Sequence, residues 1–402
     1  MSDVRWVDNL TARLSYGELG NDGLDSYYAW QSFYDLTWPN ANNPGATVYS
    51  LANPDISWEK KGTLNAGLEA TLFNRALNVT LEYYNGLTSD MLLNYPLPLS
   101  TGFSGYDANV GSMRNQGFES SFSLNWLNGE KVRASSTLMA YFNRNKVVKL
   151  TGESPRILSG SQLIQEGLPI YTWYTPRTAG VNPETGALVY WAYREVKEGD
   201  EDYSQGSYIP NTVKEDGSKV YGIEYTTEDT SEATASKYIG WGSREPKLQG
   251  SFGSDFQFGP VDFSFLTTFS LGGYVWDSVY GSSMEATYTG DTWNRNILKR
   301  WQKPGDETDV PILEIGSSNI SADRWLVNAS YLAIKSIQLG YTMPTKWTGK
   351  AGIKSLRVFA LGDNLFLFTK LKGMNPQYNI TGGTSWAYTP TRTMSLGIDI
   401  NF

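Results

Sequence analysis

The sequence contains no cysteine and no histidine. Without cysteine there are no disulfides, no thiolate chemistry and no cysteine-ligated zinc. Without histidine there are no histidine-dependent catalytic triads, and the commonest metal ligand is missing. Carboxylate-pair, tyrosine or lysine chemistry stays open in principle, but a glycosidase needs two acids about 5–9.5 Å apart, and no motif indicates such a pair. We therefore expect no enzyme activity, no catalytic residues, no metal and no cofactor.

Basic charge is also scarce, with 33 lysines and arginines against 41 aspartates and glutamates and a formal net charge of −8. Nucleic acid binding requires a basic surface, so nucleic acid is not an expected partner. No segment approaches the roughly 20 apolar residues of a transmembrane helix. Residues Met1–Arg5 carry no signal-peptide pattern, so the sequence is expected to be a fragment of an exported protein. A cytoplasmic protein that starts at Met1 is the alternative.

Aromatic residues are abundant, with 26 tyrosines and 14 tryptophans. Such rings suit the interfacial girdles of a membrane β-barrel or a surface that faces sugars or peptides. A carbohydrate-binding β-sandwich would have a similar composition.

The C-terminal segment Met394–Phe402 has large apolar residues at even positions and small or polar residues at odd ones. This period of two predicts a strand with one apolar face. Phe402 places an aromatic residue at the carboxyl terminus of that strand. We interpret Phe402 as the assembly signal recognised by the barrel assembly machinery.

Strand-like patterns recur along the chain, and the connections between them alternate between long and short. The ten predicted strands are Asn9–Gly17, Trp58–Phe73, Ala76–Leu93, Asn109–Leu127, Val132–Leu150, Lys247–Phe258, Val261–Trp276, Val327–Tyr341, Leu356–Thr369 and Thr391–Phe402. The long connections are about 18–57, 94–108, 151–244, 277–324 and 370–390. Outer-membrane barrels have short periplasmic turns and longer extracellular loops. The sequence therefore predicts an all-β, antiparallel transmembrane β-barrel with these five connections as extracellular loops.

Each predicted strand has an apolar face for lipid and a polar face for a wet lumen. A charge on the lipid face is costly, so Glu82, Glu119 and Asp262 are assigned to the lumen. The lumen residues are too polar to fill a narrow ten-stranded barrel. A larger barrel then needs further strands at both edges, because unpaired backbone is not tolerated in lipid.

Several blocks of the sequence also resemble a known family. These blocks are Asn53–Lys60, Tyr83–Asn85 with Thr88–Leu92, Pro98–Phe103, Asn109–Glu119, Tyr331–Tyr341, Gly362–Phe366 and Pro390–Arg392. They are similar to the segments NPDLKWE, DYYNKKTTDLL, P..TGF, NVGSVRNKGIE, YLRLKNISLGY, GENLF and PRT of SusC/RagA-like TonB-linked outer-membrane transporters. The blocks are ordered and spread over nearly the whole chain.

The resemblance implies a 22-stranded barrel with an N-terminal plug, of which residues 1–402 would form about ten C-terminal strands without the plug. It implies multi-pass location in the outer membrane of a Gram-negative, Bacteroidetes-type cell, in contact with outer-membrane lipid. It also implies uptake of oligosaccharides or peptides with a SusD-like surface lipoprotein. The TonB–ExbB–ExbD system would supply the energy through the missing N-terminal part.

Two loop features could bind ligands. Five aromatic residues of the third long connection could stack on a sugar or peptide, or could simply pack the loop: Trp173, Tyr174, Tyr190, Trp191 and Trp241. The acidic run could hold calcium, but it lacks the D-x-[DN]-x-[DN]-G pattern, so a solvated surface loop is favoured: Glu195, Glu198, Asp200, Glu201 and Asp202. The segment Asn294–Arg300 is predicted to form a short helix.

Two other functions remain open at this stage. One is a passive porin-like barrel or an assembly of half-barrels. The other is a soluble carbohydrate-binding β-protein. The choice between a glycan and a peptide ligand also stays open, although the aromatic content leans towards a glycan.

Overall fold

Ten strands form one antiparallel sheet, and their order in the sheet is their order in the chain. The structure is a computed structural model that describes residues 4–402 except 25, 40, 42, 44, 152–155, 215–217, 286–291, 315–319, 374 and 378–388. The strands are β1 (Val7–Asn21), β2 (Glu59–Leu72), β3 (Leu77–Ser89), β4 (Gly111–Asn128), β5 (Val132–Leu150), β6 (Leu248–Phe258), β7 (Val261–Leu271), β8 (Tyr331–Thr342), β9 (Ser355–Thr369) and β10 (Thr393–Asn401). All ten predicted strands are confirmed, and so is the all-β, antiparallel fold class.

The register of the strands separates apolar from polar side chains. Val79 on β3 lies opposite Ala70 on β2 and Phe122 on β4, whereas the next residue, Thr80, lies opposite Glu69. The same alternation continues across the sheet, because a period of two places alternate residues on opposite faces. We call the two surfaces the apolar face and the polar face.

The apolar face is exposed along the whole sheet. Its members include Leu14, Leu68, Phe122, Leu138, Phe252, Leu339, Phe366 and Leu396, each classed among the exposed large hydrophobic residues. An apolar surface of this extent marks a contact with another protein or with a membrane. Within the described part of the chain, no helix is long and apolar enough to cross a bilayer.

Tight turns join β2 to β3, β4 to β5 and β6 to β7, whereas a longer link with two short helices joins β8 to β9. The β2–β3 turn uses three consecutive left-handed residues, Phe73, Asn74 and Arg75, with φ values of 58°, 54° and 65°. The strain of this turn is offset in part by a hydrogen bond of 2.9 Å from the Arg75 backbone N–H to Asp8 Oδ2. Gly259, with a φ of 56°, makes the turn between β6 and β7.

Several strands are shorter than the sequence pattern predicts, β3 and β7 most of all, and β8 begins at Tyr331 instead of Val327. The alternation of residues 76–93 continues past Ser89, but Asp90 adopts a φ of 54° and ends β3. The alternation of residues 261–276 is broken by Gly272 and Gly273, with φ values of 84° and 73°. Apolar and polar residues alternate on both sides of these left-handed residues, so the alternation alone does not reveal where each strand ends.

The long connections contain secondary structure that the sequence patterns did not predict. Residues 151–244 hold a four-stranded sheet of Arg177–Val181, Leu188–Glu195, Lys219–Thr227 and Ser207–Val213, and a three-stranded sheet of Arg156–Ser159, Gln162–Gln165 and Thr172–Trp173. The paired short strands are Phe33–Asp35 with Thr47–Ser50, Leu92–Pro96 with Gly105–Asn109, and Tyr274–Trp276 with Leu326–Asn328.

Helices are few and short. The α-helices are Thr230–Ala235, Ser278–Ser282 and Thr345–Thr348. The 3₁₀ helices are Leu99–Thr101, Tyr203–Gln205, Arg295–Lys299, Asp323–Trp325 and Gly349–Ala351. The short helix predicted over Asn294–Arg300 is therefore confirmed as Arg295–Lys299.

The third and fourth connections pack against each other, and we call their described residues within 156–244 and 274–329 the loop domain. The Trp301 indole N–H donates to the Pro183 carbonyl oxygen at 2.8 Å, and the Trp173 indole N–H donates to the Tyr274 carbonyl oxygen at 2.7 Å. Buried clusters fill this domain, one around Tyr190 and one around Trp325. Much of the fully buried apolar material thus lies in the loop domain, at one end of the sheet.

Candidate functional site

A group of tyrosine and amide side chains crosses the polar face near the loop domain. The Tyr84 hydroxyl donates to Asn143 Oδ1 at 2.9 Å, and the Tyr141 hydroxyl donates to Gln249 Oε1 at 2.8 Å. Asn143 Nδ2 in turn approaches Asn115 Oδ1 at 3.5 Å. We call these five residues the tyrosine–amide belt. Hydroxyl and amide groups both donate and accept hydrogen bonds, so the belt can bind sugar hydroxyls or peptide amides.

A glycine shapes the belt. Gly117 on β4 lies between Tyr84 on β3 and Asn143 on β5 in the strand register. A Cβ atom at Gly117 would lie 2.4 Å from the Tyr84 hydroxyl oxygen and 2.4 Å from the Phe142 carbonyl oxygen. Only glycine therefore lets the Tyr84 ring cross β4 and reach Asn143.

The belt is attached to the loop domain through Asn145. Its Nδ2 donates to Asn115 Oδ1 at 2.8 Å, and its Oδ1 accepts the backbone N–H of Ile170 at 2.8 Å. Asn145 is buried. A movement of the loop at Ile170 would therefore reach the belt through one amide side chain.

Acidic residues lie on the polar face beside the belt. Glu82 is directly opposite Glu119, and like charges in this position are destabilising. Arg13 forms an ion pair with Glu69 and a longer one, at 3.5 Å, with Glu82. One arginine among three carboxylates leaves this part of the polar face negative.

Three of the five aromatic residues singled out in the sequence are buried in the loop domain. Trp173 packs on Trp276 with ring centroids 6.1 Å apart, and Tyr190 is 1% exposed. Tyr174 lies under two cations, with Arg156 Cζ 5.8 Å and Lys237 Nζ 5.7 Å from its ring centroid. These contacts hold the loop domain together.

Trp191 and Trp241 are more accessible. Trp191 is 37% exposed, and Arg177 Cζ lies 5.8 Å from its ring centroid. Trp241 packs edge-on against Tyr274 at 5.4 Å. Only Trp191 of the five presents a substantial part of its ring to solvent. The five residues do not form one continuous aromatic surface.

The acidic run of the third connection is used mostly for local ion pairs and turns. Arg194 forms an ion pair with Asp202, and this hydrogen bond lowers the pKa of the Asp202 carboxyl group. Lys214 pairs with Glu195 at 2.9 Å, and Asp200 accepts the backbone N–H of Lys197 at 2.7 Å. Within the described residues, no group of three or more acidic, cysteine or histidine side chains is arranged to hold a metal ion.

Two carboxylates, the half-buried Asp323 and the buried Asp277, join parts of the long connections, and the sequence patterns did not reveal either. Asp323 Oδ1 accepts the backbone N–H and the hydroxyl of Thr178 at 2.8 and 2.7 Å. Burial raises the pKa of Asp323, although the bonds from Thr178 oppose that shift. Asp277 is 1% exposed. Its Oδ2 accepts the backbone N–H groups of Lys372 and Gly373 at 2.8 and 3.0 Å, which joins the fourth connection to the fifth.

The belt was also missed at the level of sequence, although the signal was present. The alternation that assigned Glu82 and Glu119 to the polar face also assigns Tyr84 and Asn115 to it. The register of the strands alone decides which residues of neighbouring strands lie side by side and how far along the sheet they lie. A sequence reading that had paired β3, β4 and β5 residue by residue would have found the cluster.

The fold and the site define a class: an antiparallel β-protein with one exposed apolar face and one polar, hydrogen-bonding face. Known proteins of that class are similar to the chain over its whole length. TonB-dependent receptor P39 of Formosa agariphila is 26% identical over 432 residues, which covers 100% of this chain and 41% of the relative. TonB-dependent receptor SusC of Bacteroides thetaiotaomicron is 25% identical over 411 residues, covering 100% and 38%. No protein-family model matches the chain.

Solved structures share the fold. The RagAB peptide transporter superposes with a TM-score of 0.79 at 24% identity, covering 100% of this chain and 42% of that one. The RagAB peptide importer in its "closed-closed" state gives a TM-score of 0.78 at 25% identity, with the same coverage. The chain thus spans about two fifths of the length of the proteins it matches. The resemblance to SusC/RagA-like TonB-dependent receptors, seen first in the sequence blocks, is confirmed.

Proposed function

We propose that this chain forms part of the wall and the loops of an outer-membrane nutrient importer of the TonB-dependent type. The observation that carries the proposal is the ten-stranded, two-faced sheet, which aligns over its full length with TonB-dependent receptors. The apolar face contacts outer-membrane lipid, and the polar face lines the path of the nutrient. Residues 1–402 act as one unit of a barrel, and the five long connections lie outside the cell.

The nutrient is an oligosaccharide or a peptide. One structural neighbour is described as a peptide transporter, which supports the peptide, and the Tyr, Asn and Gln side chains of the belt suit the hydroxyls of a sugar equally well. Trp191, which is exposed and lies beside Arg177, is the best placed of the five aromatic residues to touch the ligand from the loop domain. The chain's own residues would bind and orient the ligand, without chemical change to it.

The partners follow from the relatives and are part of the proposal. A SusD-like surface lipoprotein would cover the extracellular loops, and the TonB–ExbB–ExbD system would supply energy through segments outside this chain. Phe402, which directly follows β10 and is 72% exposed, would be recognised by the barrel assembly machinery.

The experiment is growth and uptake in a cell that depends on this protein. We expect deletion of the gene to abolish uptake of one class of nutrient, and uptake to require the proton gradient that drives TonB. A chain that folds as a monomer in buffer without detergent would contradict the proposal. Ion conduction across planar bilayers without any energy requirement would instead favour the passive porin.

A further inference from the structure

A cavity that no part of the proposed function has used lies between the loop domain and the fifth connection. Its volume is about 310 Å³, at the lower end of the range for small-molecule sites. Its walls include Tyr280, Met284 and Val310 from the fourth connection and Leu188 from the third. Apolar and aromatic side chains thus supply about half of the lining residues, and charged side chains supply most of the rest. Apolar walls with a few polar groups are typical of ligand sites.

Three cations converge on this cavity. Arg324 Cζ lies 4.6 Å from the ring centroid of Trp325, and Lys372 Nζ lies 4.9 Å from the ring centroid of Tyr280. Lys370 forms a further part of the lining. The aromatic rings hold the first two cations at the cavity wall through cation–π contacts.

The cavity lining holds two carboxylates, Asp277 and Asp309, against these three cations, so one positive charge is in excess. The oxygens of Asp277 accept the backbone N–H groups of Tyr280, Lys372 and Gly373 at 3.3, 2.8 and 3.0 Å. Hydrogen bonds of this kind stabilise the carboxylate charge without help from a lysine. Within the described part of the chain, the ion pairs of lysine and arginine involve other residues than Lys370 and Lys372.

Two acids stand near Arg324. Its Nη2 donates to the Asp309 carbonyl oxygen at 2.8 Å. Burial lowers the pKa of Arg324, and the negative charges of Asp309 and Glu285 oppose that shift. Glu285 also accepts the Trp325 indole N–H at 3.0 Å. Arg324 is therefore partly compensated already, and the two lysines are the cations that remain for a ligand.

We propose that this cavity binds a carboxylate group of the imported nutrient, which Lys370 and Lys372 recognise. This inference rests on the proposed import function and names the ligand chemistry of one site in it. The carboxylate belongs either to an acidic peptide or to a uronic-acid unit of an oligosaccharide. The two exposed lysines attract the anion by charge, and the aromatic wall holds Lys372 at the cavity through its contact with the Tyr280 ring.

The test compares acidic probes with their neutral counterparts by calorimetry on the full chain in detergent. The peptide pair is triglutamate and triglutamine amide, and the sugar pair is trigalacturonate and its methyl ester. We expect one acidic probe to bind more tightly than its neutral counterpart, and the identity of that probe distinguishes the two sources. The preference should weaken as salt increases.

The double variant Lys370→Gln/Lys372→Gln removes both charges from the cavity. Both lysines are exposed, so we expect normal folding and an affinity for the acidic probe reduced by about tenfold or more, from the loss of charge-assisted hydrogen bonds. Lys299→Gln, at an exposed position of the loop domain outside the cavity lining, is the control and should bind as the parent does. Circular dichroism and thermal unfolding check the fold of each variant.

Two results would overturn the inference. One is equal affinity of the parent chain for acidic and neutral probes, and the other is unchanged affinity in the double variant. Either could occur while the cell still imports neutral nutrients, in which case the import function stands and only the carboxylate site fails. Loss of import in the gene deletion together with retained acidic binding supports both.

Discussion

Arg357 on β9 forms two hydrogen bonds with Asp262 on β7, and both pass over the strand between them. Arg357 Nε donates to Asp262 Oδ1 at 2.9 Å, and Nη2 donates to Oδ2 at 2.6 Å. A third bond joins Arg357 Nη1 to Asp399 Oδ2 on β10 at 3.0 Å. The intervening residue on β8 is Gly340, which pairs with Asp262. Four strands are therefore tied together on the polar face at one arginine.

The first prediction concerns this crossing. A Cβ atom at Gly340 would lie 2.5 Å from both carboxylate oxygens of Asp262 and 2.6 Å from Arg357 Nη2. Gly340→Ala should therefore push the ion pair apart and destabilise the sheet by about 1–3 kcal/mol, as other overpacking changes do. Thermal unfolding in detergent measures the effect. Gly17→Ala is the control, because nothing lies within 4 Å of a Cβ atom there. Equal stability of the two variants would contradict the prediction.

The second prediction separates the two faces of the sheet. Leu138 on β5 lies on the apolar face opposite Phe252, and the next residue, Met139, lies on the polar face opposite Ser251. Leu138→Arg should destabilise the chain folded in lipid vesicles by about 2–4 kcal/mol if the residue is near the bilayer midplane. Met139→Arg should cost much less. Urea titrations of folding into vesicles measure both, and a larger cost for Met139→Arg would reverse the assignment of the faces.

The third prediction concerns the tyrosine–amide belt. Tyr141→Phe removes the hydroxyl that bonds to Gln249 and leaves the ring in place. We expect a several-fold rise in the KM of uptake, because the hydroxyl would bond either to the ligand or to Gln249. One such hydrogen bond contributes about 0.5–1.5 kcal/mol. Tyr83→Phe on the apolar face is the matched control. If both variants transport like the parent, the belt takes no part in binding.

The fourth prediction distinguishes packing from binding among the loop aromatics. Tyr190 is 1% exposed and packs in a buried cluster with Leu188 and Ala322. Tyr190→Ala should destabilise the loop domain by about 3–5 kcal/mol, as expected for a large core side chain. Trp191→Ala, at an exposed neighbour, should leave stability nearly unchanged and weaken ligand affinity. Limited proteolysis measures the loss of stability in Tyr190→Ala, and calorimetry measures the loss of ligand affinity in Trp191→Ala. A loop domain that resists proteases in Tyr190→Ala would contradict the role of the buried cluster.

The fifth prediction is a dependence on pH. Burial raises the pKa of Asp323, so the folded loop domain favours the protonated carboxyl group. The stability linked to this group is fully present below the ordinary pKa of an aspartate and is lost as the pH rises through the raised value. Asp323→Asn should remove this loss while its amide oxygen still accepts the bonds from Thr178. Unfolding temperatures measured across acidic pH should therefore slope less in the variant, and parallel slopes would contradict the assignment.

The ten strands could be predicted from the sequence because each contains its own alternation of apolar and polar residues. A strand such as Leu77–Ser89 has thirteen residues, enough for the alternation to stand out over several repeats, and its neighbours in the sheet are its neighbours in the chain. The resemblance blocks fell mostly on these strands and their ends. The strands predicted from local alternation therefore agree with the strands that pair in the sheet.

The loop domain was not predictable in the same way. Its strands are short, and some of their partners are distant: Leu188–Glu195 pairs with Lys219–Thr227 past an intervening strand, and Tyr274–Trp276 pairs with Leu326–Asn328. Bonds such as that from the Trp301 indole to the Pro183 carbonyl join residues 118 positions apart. No local pattern records such contacts. The burial of Trp173 and Tyr190, which decides between packing and ligand contact, follows from them.

The Asp277 carboxylate has a mechanical consequence. It accepts backbone N–H groups from its own connection and from the fifth one, so the two connections share one anchoring point. A displacement of either connection would be transmitted to the other through these bonds. Lys372 is one of the bonded residues, so such a displacement would also shift the wall of the charged cavity.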